Sequence, residues 1–116
     1  MPNDGSKALK MVMAIVQRGK ADDIVSMAIK SGAPAATVFF ARGRGIRERL
    51  GLLGLAIQPE KEVIIIVVEE WLVDDVVAGM VKAGNLDQPG IGCVFVMPVE
   101  RALGMLEAKE KVNGKT

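Results

Sequence analysis

The chain has 116 residues, half of them hydrophobic but only 3% aromatic, and carries a net charge of +1 from 15 basic and 14 acidic side chains. That length suits one domain with a core of Val, Ile, Leu, Met and Ala, and the near-neutral balance gives no footing for a nucleic-acid surface. Histidine is absent, which removes the commonest general base and metal ligand, and the single cysteine, Cys93, allows neither an intramolecular disulfide nor a cysteine metal cluster within one chain.

No Ser–His or Cys–His set can form, so an enzyme would have to work with Asp, Glu, Lys or Arg alone, and no catalytic or metal-binding residue is assigned. The N-terminus, MPNDGSKALK, holds no hydrophobic signal segment, and the longest apolar run is far shorter than the ~18 residues a membrane span needs. A soluble cytoplasmic protein with no membrane insertion is the expectation.

Residues 1–8 are polar, contain Pro2 and Gly5, and read as a flexible tail. LKMVMAIV, from Leu9 to Val16, has the length and apolar density of a buried strand. Asp22 and Asp23 open a helix of about ten residues, with Ile24, Met27 and Ala28 on one face and the stop signals Lys30, Gly32 and Pro34 at its end. AATVFFAR, residues 35–42, reads as a second strand that ends at the breaks Gly43 and Gly45.

A loop over 43–61 follows. Loops of roughly 15 residues are uncommon in a small domain and are usually functional or disordered. Val63 to Val68 is then a strand with no polar side chain, so its two faces are equally apolar. Val73, Val76, Val77 and Met80 mark a second helix that ends near Lys82, with Gly84 as the expected cap. Trp71 at its start reads as a packing anchor. CVFVMPV, residues 93–99, is the fourth strand, with Cys93 expected as a small buried apolar side chain and Pro98 suiting an edge position. From Arg101 the chain is expected to form a short helix fraying into a charged tail over 106–116.

DDIVSMAIKSG (residues 22–32) aligns without a gap on DDVVAGMVKAG (residues 74–84). The order is strand-helix-strand written twice. This predicts an α+β, ferredoxin-like βαββαβ domain over 9–105, a four-stranded antiparallel sheet with both helices on one face. The other face needs a cover, because an exposed all-aliphatic sheet is an aggregation hazard, and self-association through it is the simplest answer.

The segments AIVQRGKADDIVSMAIKSGAPAATVFFARGRG and PGIGCVFVMPVERALG resemble the PII signal-transduction (nitrogen regulatory P-II-like) family in the order and spacing of strand, Lys-x-Asp-Asp helix start and two Gly-x-Gly turns. The resemblance implies a homotrimer that binds an adenine nucleotide (ATP, ADP or AMP) in clefts between subunits, with Mg²⁺ as a candidate companion ion. The loop, here shorter than the family's, would dock onto a regulated protein, a membrane transporter being one candidate. Carried onto this chain, the site comprises backbone contacts to phosphate from Gly43, Gly45, Gly90 and Gly92, charge from Arg44, Arg47 and Arg101, and a cleft wall from Ile15 and Thr37. The loop lacks Tyr and Ser, so control by uridylylation or phosphorylation at the usual loop positions is excluded. Cys93 stands where the family has a phosphate-binding Lys, and Gly104 and Leu106 stand where it has Arg. The alternative on the same fold is a PII-like or CutA-like trimer that binds a non-nucleotide anion or a metal, with Glu60 and Glu62 as candidate ligands for a hard cation.

Overall fold

The computed structural model of the chain describes residues 8–43 and 60–105. In chain order these form β1 (Leu9–Gln17), α1 (Ala21–Lys30), β2 (Thr37–Arg42), β3 (Glu60–Glu69), a 3-10 turn (Glu70–Leu72), α2 (Val73–Gly84) and β4 (Gly92–Val99). All strand pairs are antiparallel, in the spatial order β2-β3-β1-β4. The ferredoxin-like expectation therefore holds, with β2 and β4 as the edges and Pro98 on an edge strand.

Alternation decides what each strand buries. Val12, Ala14 and Val16 of β1 and Ile64, Ile66 and Val68 of β3 form one core with Ile24 and Ala28 of α1 and Val76 and Met80 of α2. The register sets Ile15 opposite Val63 on one side and Cys93 on the other. All three belong to the opposite face, which no helix among the described residues covers.

The repeated helices pack through repeat-equivalent positions. Met27 of α1 faces Gly79 of α2, where an added Cβ would lie 2.9 Å from Met27 Cγ and 2.6 Å from Ser31 Oγ. At the helix ends, Gly32 lies against Leu72 and Gly84 against Ile24, each leaving only 2.7 Å for a Cβ. Gly84 is thus required for close packing and is still helical. The left-handed cap is Asn85, at φ 54°, which corrects the sequence expectation; Asn is among the few non-Gly residues that tolerate this region. The next amide, Leu86, donates to the Val81 carbonyl at 3.1 Å.

Three further expectations change. Trp71 is 54% exposed, and the anchor is its neighbour Leu72, at 6%, because the intervening 3-10 turn points Leu72 inward. The Trp71 indole N–H donates to Glu69 Oε1 at 2.6 Å. Cys93 is half-buried. Residues 101–105 form no helix, and the expected tail over 106–116 lies outside the described residues.

Candidate functional site

A cleft of about 400 Å³ opens at one end of the sheet, where β1 and β2 finish and β3 and β4 begin. Ile15, Val63 and Ile91 supply apolar wall, and Gly43, Gly90 and Gly92 supply backbone. Lys61 and Arg42 supply positive charge, with Gln17 and Cys93 completing the polar lining.

The glycines are not interchangeable. Gly90 sits at φ 82°, in the left-handed region that side chains disfavour. Gly92 lies so near β1 that a Cβ would come within 2.8 Å of the Ile15 carbonyl oxygen. At Gly43 the nearest atom to an added Cβ is Lys61 Cγ at 3.7 Å, so this glycine rests against the lysine stem with room to spare. Two short glycine segments far apart in the chain thereby meet beside Lys61 and Arg42. Backbone N–H groups released from side-chain cover, next to positive charge, suit an anion.

Of the sequence-derived site, the fold brings Ile15, Gly43, Gly90 and Gly92 together in this cleft. Arg44, Gly45 and Arg47 lie outside the described residues. Thr37 does not line the cleft. It pairs with Ile65 at the start of β2, whereas the cleft touches β2 at Ala41 and Arg42, four residues or ~13 Å away along a strand. Arg101 follows the C-terminal end of β4, while the cleft meets β4 at its N-terminal Gly92 and Cys93. Within one chain neither residue shares the cleft.

Sequence reasoning missed Lys61, which is 9% exposed and lines the cleft. Its signal was available: in EKEV the lysine shares the parity of Val63, so it belongs to the open face, opposite its two glutamate neighbours. Those glutamates are engaged elsewhere. Glu60 Oε1 pairs with Arg18 Nη1 at 2.5 Å, and Glu62 Oε1 accepts from the amides of Gly19 at 3.0 Å and Ala21 at 2.8 Å. Among the described residues no group of three or more Asp, Glu, Cys or His is arranged to hold a metal ion.

Among the described residues, no helix is long and apolar enough to cross a membrane. A family model described as nitrogen regulatory protein P-II matches residues 9–107. The chain is 30% identical over 114 residues to the nitrogen regulatory protein GlnK2 of Haloferax mediterranei, an alignment covering 94% of this chain and 91% of the relative. It is 33% identical over 96 residues to the nitrogen fixation nifHD region GlnB-like protein 1 of Methanothermococcus thermolithotrophicus, covering 81% of this chain and 90% of the relative. The similarly described protein of Methanococcus maripaludis is 28% identical over 95 residues.

Proposed function

The chain belongs to the nitrogen regulatory protein P-II family, and from that premise we propose that it is a nucleotide-responsive regulator whose effector site is the Gly43–Lys61–Gly92 cleft. Proteins of this family are regulators rather than enzymes. The effector is an adenine nucleotide, its phosphates meeting the backbone at Gly43, Gly90 and Gly92 and the ammonium of Lys61. The base rests on the apolar wall around Ile15 and Val63. The carrying observation is the meeting of the two glycine segments with the buried Lys61 in one cleft. Lys61 also offers a charge on the face where Cys93 leaves one missing.

Three subunits assemble with their open sheet faces inward, and the clefts lie between them. Thr37 and Arg101 then reach a cleft from the neighbouring subunit. The exposed apolar side chains on the two edge strands favour this arrangement: Phe39 on β2 is 46% exposed and Phe95 on β4 is 45% exposed. Joining unlike edges of successive copies is a heterologous contact, the kind that closes into rings. Nucleotide binding changes the affinity of the 44–59 segment for a partner protein, a membrane transporter among the candidates.

Thermal unfolding against ATP, ADP, AMP and cyclic AMP, each with and without Mg²⁺, tests this. A ligand at 100 times its dissociation constant adds about 2.7 kcal/mol to native stability, read as a rise in Tm. One nucleotide raises Tm, and Lys61→Ala removes most of that rise, measured against the variant's own ligand-free Tm. No rise with any of the four overturns the nucleotide reading and moves the effector to another anion.

A further inference from the structure

The first three residues of β3 divide across the sheet. Lys61 lines the cleft on the open face, while Glu60 and Glu62 reach the helix side. There Glu62 holds the amides of Gly19 and Ala21, and Glu60 holds Arg18. Ala21 is the first residue of α1, and Lys20 before it provides no side-chain cap. The Glu62 carboxylate therefore serves as the helix cap from a neighbouring strand. It satisfies a donor that has no partner within the helix and complements the positive end of the helix dipole.

A local Ser or Asp at position 20 would cap α1 as well, without tying it to anything. Capping from position 62 has a different effect. Lys61 and Val63, the chain neighbours of Glu62, both line the cleft, and so do Ile15, Val16 and Gln17, just before the Gly19–Ala21 turn that Glu62 holds. Any sliding of β3 along β1 that changed the cleft would have to stretch two charge-assisted hydrogen bonds on the reverse face.

We propose that Glu62 is a positioning residue for the effector cleft: it fixes Lys61 and Val63 against the end of β1 by clamping the β1–α1 turn from behind. The proposal rests on the reading of this cleft as the effector site. Linkage makes the clamp reciprocal, so an effector that selects the clamped geometry also slows opening at the Ala21 amide.

The test compares full-length parent, Glu62→Val and Glu62→Gln by hydrogen–deuterium exchange without ligand, and by nucleotide titration below each Tm. Glu62→Val should speed exchange at Ala21 and also at residues 61 and 63 by about 10-fold or more, the scale of a charge-assisted hydrogen bond. Its nucleotide affinity should fall by a similar factor, with Glu62→Gln, which keeps a carbonyl acceptor, in between. Ile66→Val is the control: it loses stability from the same strand but keeps the parent affinity. Faster exchange at Ala21 alone, or parent affinity in Glu62→Val, overturns the proposal and leaves a helix cap with no role in the cleft. Should no nucleotide bind the parent, the effector reading fails by itself, and exchange at residues 61 and 63 still decides whether Glu62 holds the cleft wall. If Glu62→Val does not fold, the same two measurements on Glu62→Gln decide.

Discussion

The two faces of the sheet are built from the same strands and nearly the same amino acids, yet only one is finished. On the helix side Val12, Ala14, Val16, Ile64, Ile66 and Val68 are at most 1% exposed. On the other, Met11, Met13, Ile65 and Val67 are half-buried, and Phe39 and Phe95 are nearly half exposed. Strand β3 makes the point most sharply, because its aliphatic side chains do not change character from one face to the other. Composition says that both faces want cover; topology supplies two helices to one of them. Among the described residues the second face has no such cover, and the proposed assembly would supply it.

Paired truncations along β3 probe this most strongly. Ile64→Ala, on the finished face at 0% exposure, should lower unfolding free energy by about 2–5 kcal/mol, as filled core positions do. Urea unfolding should show that loss at every protein concentration, because Ile64 is covered by its own chain. Ile65→Ala, one residue on, should show a loss that grows where the protein is assembled and shrinks on dilution, since obligate assembly makes stability depend on concentration. Equal, concentration-independent losses at the two positions would break the comparison.

How much was legible follows the same division. The strands, both helices and the ferredoxin-like order were readable because aliphatic runs, Asp-Asp helix starts and Gly stops are local signals. Of the four glycines named from the two Gly-x-Gly turns and the family resemblance, Gly43, Gly90 and Gly92 meet in the cleft, while Gly45 lies outside the described residues. Lys61 was legible only through the parity it shares with Val63, a faint signal, because a lysine between two glutamates looks like an ordinary charged strand end until the register assigns it to the face of Ile15. The role of Glu62 was not legible, because its partners Gly19 and Ala21 lie 43 and 41 residues away and offer only main-chain amides. Leu72 takes the anchoring role expected of Trp71 for a reason that spacing hides: a single 3-10 turn changes which of two adjacent side chains faces Gly32.

The cleft glycines sharpen the comparison at the next scale. Gly92 shares the helix-side parity of Val16, and a Cβ there meets the Ile15 carbonyl at 2.8 Å and Leu86 at 3.0 Å. Gly92→Ala should therefore destabilise the ligand-free protein by about 1–3 kcal/mol, as overpacking does. Gly43→Ala meets nothing closer than Lys61 Cγ at 3.7 Å, so its ligand-free Tm should stay near the parent value while the nucleotide-dependent rise shrinks. Melting curves of both variants with and without nucleotide separate a glycine the fold needs from one the effector needs. A Gly43→Ala variant with the full nucleotide-dependent rise would remove Gly43 from the site.

The smallest effect belongs to the Arg18–Glu60 pair, and it tests whether parity or cover is the operative variable. Glu60 has the same parity as Ile64 and Ile66, yet its side chain is 45% exposed and that of Arg18 is 57% exposed. If belonging to the helix side were enough, Arg18→Ala would cost what a core change costs. If cover decides, solvent screening leaves the pair below about 1 kcal/mol, and that small loss fades further as salt is raised. Urea midpoints of parent and Arg18→Ala at low and high ionic strength measure this directly. A loss of several kcal/mol, insensitive to salt, would mean that the turn is held mainly by Arg18. A small, salt-sensitive loss leaves Glu62, with its two main-chain amides, as the stronger of the two carboxylate ties behind the cleft.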